Sequence, residues 1–193
     1  MLARVSNIET YRRWRLEEDA TPADLVSRLT ADQPTERMEV GTAFHKALEL
    51  AQSGDHDELT ANGYRFLFAG PCAIALPSVR ELRCSRQYGP LIVSGQVDAI
   101  HGLRVEDHKT TANFSADSYL EGCQWRFYLD IFGADVFRWN VFEILADRKD
   151  PHTYHVDPPH LLEQFRYPGL HDDCMALALG YYEFATKHLL EAA

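Results

Sequence analysis

Hydrophobic residues along this chain follow a helical period, then a strand period, then a helical period again. In the first quarter of the chain, helix-start signals predict helices beginning at Ser6 and Thr21, and apolar residues at helical spacing predict a third over 38–52. Ser6 and Glu9 have the spacing of a capping box. Residues 53–62 are acidic and have no clear period, so we expect a loop there.

The middle of the chain has the pattern of short strands rich in β-branched and aromatic residues. The predicted strands are Tyr64–Phe68, Cys72–Leu76, Val79–Arg86, Leu91–Ile100 and Leu103–Lys109. Two turn pairs, Gly89-Pro90 and His101-Gly102, separate the last three strands. We therefore expect these three strands to form an antiparallel meander with a tight second hairpin.

The remaining elements complete an α+β fold with helices packed on a mixed sheet. They are a long helix from Ser115 to Phe132, strands at Asp135–Leu145 and Thr153–Val156, and a final helix from about Asp172 to Leu190. The order is helix, three strands, helix, strand, with flanking helices. We expect a single domain over 1–193, with its core at about 38–145, N-terminal helices within 1–37 and a C-terminal strand and helix within 146–193.

Composition points to a soluble protein and also sets one constraint on nucleic-acid binding. Hydrophobic residues make up 46% of the 193 residues and charged residues 25%, and no apolar run reaches the roughly 18 residues of a membrane span. The N-terminus does not resemble a signal peptide, so we expect a cytoplasmic protein without membrane contact. The formal net charge of −10 counts against broad, tight DNA binding, although a local groove can still be positive.

Candidate chemistry lies at the end of the predicted meander. Because alternate strand residues share a face, Asp107 and Lys109 continue the face of Val105, and Glu106 and His108 point the other way. Burying a charge is costly unless the charge is paired or binds metal. The acid and the lysine can therefore neutralise each other or serve a site.

Asp98 strengthens the second interpretation, because the hairpin folds its strand back beside Asp107. Two converging carboxylates repel each other unless a cation joins them, and hard oxygen ligands suit Mg²⁺ or Mn²⁺. Lys109 could then orient or deprotonate a water, or stabilise charge on phosphate. The alternative is a salt-bridged strand pair on the sheet surface.

Four short motifs, in this order, resemble the RecB-type branch of the PD-(D/E)XK nucleases. They are Gly41-Thr-Ala-Phe-His45, Gly95-Gln-Val-Asp98, Asp107-His-Lys109-Thr-Thr and Gln124-Trp-Arg-Phe-Tyr128. That branch includes RecB nuclease domains, CRISPR-associated exonucleases and many phage exonucleases. The resemblance covers roughly the first 145 residues and implies a restriction-endonuclease-like core of helix, three-strand meander, helix and strand. The chain departs from the cluster-binding members, because no cysteine triplet follows the core.

The resemblance also implies roles for individual residues. Asp98, Asp107 and His45 would bind the metal together with the backbone carbonyl of His108, and Lys109 would be the catalytic lysine. In the same branch, a glutamine and a tyrosine follow on the next helix, here Gln124 and Tyr128, next to substrate or in support of the catalytic residues. Glu81 could add a carboxylate to the metal site, although a solvated strand position is the simpler interpretation.

The resulting hypothesis is a Mg²⁺- or Mn²⁺-dependent nuclease. It would be a DNA exonuclease in recombination, repair or phage DNA metabolism, acting on linear or single-stranded DNA, alone, as a homo-oligomer or with a partner protein. One alternative is a nuclease fold that binds DNA without cleaving it. Another is an acidic partner subunit of a larger DNA-processing complex, which the net charge favours.

Overall fold

A computed structural model of the protein describes residues 1–31, 35–52, 54–74, 76–77 and 79–189. Over these residues the chain forms nine strands and six helices. In chain order they are β1 (Leu2–Arg4), α1 (Val5–Trp14), α2 (Pro22–Thr30), α3 (Glu36–Leu50), β2 (Gly54–Ala61), β3 (Tyr64–Ile74), β4 (Val79–Tyr88), β5 (Leu91–His101), β6 (Arg104–Thr111), α4 (Ala116–Leu120), α5 (Gln124–Phe132), β7 (Val136–Ala146), β8 (Thr153–Val156), β9 (His160–Phe165) and α6 (Leu170–His188). No helix in these ranges has the length and apolarity needed to cross a membrane.

The nine strands form one mixed sheet. Its order is β1-β5-β6-β7-β8-β3-β2, with β4 paired to β5 and β9 paired to β7. The neighbours β4, β5 and β6 are antiparallel, whereas β6 and β7 run parallel because α4 and α5 return the chain between them. The expected three-strand meander and mixed sheet are thus present.

Two hydrophobic cores cover different parts of the sheet. Strand β7 contributes to both, because successive side chains point to opposite faces. Phe137, Trp139 and Val141 pack into a core shared with α1, α2, α5 and α6. Phe142 packs instead with α3, β3 and β8. The C-terminal half of β6 therefore lies between α3 on one side and α5 on the other.

Three sequence predictions of strand structure need correction. Residues 54–61 form strand β2 rather than a loop, paired antiparallel with β3. This strand has polar side chains such as Glu58, which pairs with Arg65, so it carries no hydrophobic alternation. The expected separate strand at Cys72–Leu76 is in part the continuation of β3 to Ile74, and residue 75 lies outside the described residues. Strands β1 and β9 were not predicted at all.

The hairpin between β5 and β6 is shifted by one residue from the predicted turn. His101 pairs with Arg104, so the two turn residues are Gly102 and Leu103. Gly102 takes a φ of 60°, which a glycine adopts without steric cost. The turn is as tight as expected, and it keeps the ends of β5 and β6 side by side.

The predicted long helix from Ser115 to Phe132 is two helices, broken at residues 121–123. In a continuous helix the Cys123 amide would bond the Tyr119 carbonyl. Here the Cys123 amide donates instead to the Glu9 carboxylate at 2.6 Å, and Gly122 donates to the Tyr119 carbonyl. The break therefore depends on an acid 114 residues away in the sequence.

This role also changes the interpretation of Glu9. The expected capping box of Ser6 and Glu9 is absent: α1 begins at Val5, and the Asn7 side chain accepts a hydrogen bond from the Arg4 amide at 3.0 Å. The Glu9 carboxylate is almost fully buried and contacts the Arg12 and Arg13 guanidinium groups at 2.9 and 2.8 Å. By contrast, the predicted cap of α2 is confirmed, because the Thr21 hydroxyl accepts from the Asp24 amide.

We predict that Glu9 makes stability depend on pH in the acid range. Burial alone would raise the pKa of Glu9, but its hydrogen bonds from Arg12, Cys123 and Arg13 lower the pKa from 4.5 to about 2. A lowered folded-state pKa means that this stabilisation is present above pH 4.5 and is lost as pH falls towards 2. In urea unfolding, Glu9→Gln should cost on the order of 3 kcal/mol near neutral pH.

The difference between Glu9→Gln and the wild type should shrink as pH falls through that window. The control Glu17→Gln removes an exposed carboxylate that pairs with Arg28, and it should change stability little. A Glu9→Gln effect that stays constant from pH 7 to pH 2 would contradict the assigned role of the carboxylate.

Candidate active site

Asp98 lies near the end of β5 and joins three elements. One carboxylate oxygen, Oδ2, accepts a hydrogen bond from the His108 backbone amide in β6 at 2.5 Å. The other, Oδ1, lies 3.2 Å from Nδ1 of His45 in α3. Only 9% of Asp98 is exposed. The carboxylate therefore holds the β5–β6 hairpin against α3 through two different contacts.

Glu81 brings a second carboxylate to the same place. In the β4–β5 ladder, Arg80 pairs with Ala99 and Leu82 with Val97, so Glu81 lies opposite Asp98. Ligand atoms of His45, Glu81 and Asp98 all lie within 4.8 Å of one another. Glu81, for which a solvated strand position was the simpler interpretation of the sequence, thus joins His45 and Asp98 in one cluster.

The backbone of Glu81 is strained. Its φ is 53°, in the left-handed region that non-glycine residues adopt at a cost of about 1–3 kcal/mol. Among the described residues outside glycine, the only other positive φ belongs to Asn62, in the turn between β2 and β3. Such strain inside a strand is typical of functional sites.

The charged groups of the cluster shift one another's pKa. Burial alone would raise the pKa of Asp98, but the hydrogen bond and charge of His45 outweigh it and lower that pKa to about 2. The pKa of His45 is raised in turn, because its contact with Asp98 outweighs the effect of burial. The pKa of Glu81 is raised by burial and by the charge of Asp98. A cation would relieve the repulsion between the two carboxylates.

Asp107 and Lys109 form an ion pair in β6 rather than part of that cluster. Lys109 Nζ lies 2.6 Å from Asp107 Oδ2, and the Asp107 residue is 3% exposed. The alternative of a surface salt bridge therefore does not describe Asp107. Burial raises the pKa of Asp107, with a further contribution from Asp98. The negative charges of Asp107 and Asp98 outweigh burial and raise the pKa of Lys109.

Lys109 borders a cavity of about 360 Å³. The cavity is lined by Glu9, Arg13, Lys109, Ser118, Tyr119, Gly122, Gln124 and Trp139. Gln124, predicted to lie near the site, shares this cavity with Lys109. Tyr119 was not anticipated, because its position depends on the helix break that follows it.

Tyr128 has a different environment from Gln124. It is 8% exposed, and its ring stacks on Phe137 at 5.6 Å. A Cβ at Gly95 would lie 2.7 Å from the Tyr128 ring, so the glycine allows β5 and α5 to approach closely. Tyr128 lines a smaller cavity of about 140 Å³, together with Gln96.

The opposite face of β6 is also buried. Asn140 donates to Glu106 at 2.9 Å and lies 3.2 Å from Nδ1 of His108. Burial lowers the pKa of His108, which favours a neutral ring. Glu106 and His108 thus point away from Asp107, and on that face they form a buried polar network with Asn140.

The donor set of the cluster fits a divalent cation. An imidazole nitrogen and two carboxylates are ligands that Mn²⁺ accepts, and Mg²⁺ prefers the carboxylates. The depressed pKa of Asp98 keeps its carboxylate ionised, as a ligand role requires. Asp107 is close enough to interact electrostatically with Asp98, and the Lys109 ammonium already neutralises it.

Comparisons with known proteins show similarity in fold. No family model matches the sequence, and no curated protein matches it. The crystal structure of SSO0001 superposes with a TM-score of 0.53 and 14% identity, covering 94% of this chain and 75% of that one. At this identity the match establishes a common fold and nothing about activity.

Weaker structural matches include an alkaline exonuclease, LHK-Exo, from Laribacter hongkongensis. The TM-score is 0.48 at 10% identity, over 98% of this chain and 91% of that one. The same enzyme in complex with dAMP matches with a TM-score of 0.45 at 11% identity, over 97% and 90% of the two chains.

We predict that Mn²⁺ binds the cluster and raises the melting temperature. A ligand that binds only the folded state stabilises it, and a cation would also relieve the repulsion between Asp98 and Glu81. Asp98→Asn should abolish the increase in melting temperature, and Glu81→Gln should reduce it. Glu58→Gln, which removes a carboxylate from β2, should leave the increase unchanged. Calorimetry that detects no binding at millimolar Mn²⁺ would contradict the assignment.

Proposed function

We propose that this chain is a metal-dependent nuclease with a restriction-endonuclease-like core, of the RecB-type PD-(D/E)XK branch. The observation that carries the proposal is the cluster of His45, Glu81 and Asp98 on α3, β4 and β5, beside the Asp107–Lys109 pair of the neighbouring strand β6. The motif order found in the sequence supports the same conclusion. In this proposal, α3, the β4–β6 meander, α5 and β7 form the catalytic core of a single domain.

His45, Glu81 and Asp98 are the residues that would hold Mg²⁺ or Mn²⁺. Asp107 and the His108 carbonyl are further candidate ligands, on the strength of the family resemblance. When bound, the cation would lower the pKa of a water molecule and polarise the phosphate. The His108 amide and the His45 ring both contact the Asp98 carboxylate, so this ligand has little rotational freedom.

Lys109 acts as a cation in this site. Its pKa is raised above the ordinary value by Asp107 and Asp98, so it carries a proton at neutral pH. A charged ammonium cannot accept a proton from water, but it can donate hydrogen bonds to a phosphate oxygen and stabilise developing negative charge. Of the roles considered for Lys109, charge stabilisation therefore fits best.

The cavity beside Lys109 is the proposed substrate position. Gln124 supplies an amide that can donate to phosphate, and Tyr119 supplies a ring surface. The substrate class is DNA with an accessible end or a single strand, which makes an exonuclease of recombination, repair or phage DNA metabolism the preferred assignment. Contacts confined to this cavity are compatible with a net charge of −10.

We predict cleavage of labelled linear DNA by the purified chain with Mn²⁺ or Mg²⁺, and its loss with a chelator. Lys109→Ala should slow cleavage by about 100-fold or more while Mn²⁺ binding persists, because lysine is not a ligand. Lys149→Ala, at an exposed position in the turn after β7, should cleave as the wild type does. Full activity in Lys109→Ala would contradict the assigned role.

The same assay separates the alternative function. DNA binding in a gel-shift experiment, together with no cleavage by the wild type under any of these metal conditions, would support a nuclease fold that only binds DNA. A wild-type chain that neither binds nor cleaves DNA would favour the acidic partner subunit. Either of these two outcomes would overturn the nuclease assignment.

We predict a smaller effect for Gln124, since it borders the cavity without contacting the metal cluster. Gln124→Ala should raise KM for DNA or lower kcat, with little change in melting temperature, because the side chain is only partly buried. Unchanged kinetics would exclude Gln124 from the substrate position.

A further inference from the structure

Gln96 connects the proposed metal cluster to an arginine outside it. Its Nε2 group donates to Oε2 of Glu81 at 2.5 Å. Its Oε1 atom accepts from Nε and Nη2 of Arg83 at 3.2 and 2.7 Å. The three side chains form a line from Arg83 through the amide to the Glu81 carboxylate.

The arginine fixes the direction of the amide. Rotating the Gln96 amide by 180° would place its NH₂ group against the guanidinium and its carbonyl against the carboxylate, so that like partners meet at both ends. Two donors of Arg83 converge on one oxygen, and the amide nitrogen must therefore point at Glu81. Among the described residues, no carboxylate contacts Arg83, so no carboxylate competes with Gln96 Oε1 for the guanidinium.

Glu81 needs such support more than an ordinary strand residue does. Its backbone is in the left-handed region, and its carboxylate lies near that of Asp98. Both strain and repulsion favour a different orientation in the absence of a cation. The hydrogen bond from Gln96 opposes this tendency, because it favours the charged carboxylate.

We propose that Gln96 and Arg83 are positioning residues that hold Glu81 ready to bind the divalent cation. The inference rests on the proposed function only in assuming that a cation binds this cluster. With Oε2 anchored by Gln96, Oε1 is the oxygen of Glu81 left for the cation. Gln96 touches no reacting atom and acts through Glu81 alone.

The test is Mn²⁺ affinity, measured by calorimetry and by the spin-resonance signal of free Mn²⁺, on the intact chain without DNA. Gln96→Ala should weaken Mn²⁺ binding 10- to 100-fold, the loss typical when a partner that orients a metal ligand is removed. Gln96→Glu, which sets a carboxylate against Glu81, should weaken it at least as much. Gln87→Ala, near the end of β4 where the amide donates to the Gly89 carbonyl, should bind Mn²⁺ as the wild type does.

A double-mutant cycle distinguishes positioning from a general structural effect. In a Glu81→Ala background, Gln96→Ala should cause no further loss of Mn²⁺ affinity, because its only route to the cation is gone. Equal losses in both backgrounds would overturn the proposal. If Gln96→Ala fails to fold, Arg83→Lys keeps the charge but donates from a single nitrogen, and it should give an intermediate loss.

The outcome also separates this inference from the proposed function. A wild-type chain that binds Mn²⁺ and cleaves DNA, together with a Gln96→Ala chain of wild-type Mn²⁺ affinity, would overturn the positioning role and leave the nuclease intact. A wild-type chain that binds no Mn²⁺ would overturn both.

Discussion

The contact between the Asp98 carboxylate and the His108 backbone amide is the constraint on which the site depends. It joins β5 to β6 beyond the last ladder pair, Ala99 with Glu106, and it aims the second carboxylate oxygen at His45. A buried carboxylate without such partners would be strongly destabilising. Because the His108 amide and His45 both contact the Asp98 carboxylate, Asp98 can remain ionised next to Glu81. A divalent cation requires such an ionised carboxylate as a ligand.

The distribution of charge explains how an acidic chain could still act on DNA. Several arginines are occupied by carboxylates of the same chain, among them Arg28 with Glu17, Arg65 with Glu58 and Arg138 with Glu163. These pairs reduce the cationic surface that could make long-range contact with phosphates. In the proposed function, Lys109 and a bound cation would supply positive charge to a phosphate in the cavity beside Lys109.

Local patterns predicted the meander and the residues that follow its alternation. Asp107 and Lys109 were identified because they continue an apolar strand face, and Asp98 because the hairpin folds its strand back beside Asp107. His45 was identified only through the family resemblance. The position of Glu81 could not be predicted in this way. Its place in the cluster depends on the β4–β5 register and on a backbone angle that strand periodicity does not reveal.

Errors in the predicted elements have the same origin in distant contacts. The break between α4 and α5 arises because Glu9 captures the Cys123 amide, and no local signal other than Gly122 marks it. Strand β2 has polar residues at an edge of the sheet, and β9 has Leu161 and Phe165 on its exposed face, so neither shows the apolar pattern of a central strand. The functional roles of all the candidate site residues, His45, Glu81, Asp98, Asp107, Lys109, Gln124 and Tyr128, remain predictions.

The central claim is that a divalent cation binds between His45, Glu81 and Asp98. The most direct measurement is a crystal structure of the chain grown with Mn²⁺, with diffraction data collected for the anomalous scattering of manganese. The account predicts a single strong peak about 2.1 Å from a carboxylate oxygen of Asp98 and within bonding distance of His45 and Glu81. A peak bound elsewhere on the chain, or a well-ordered cluster with no peak at saturating Mn²⁺, would contradict it.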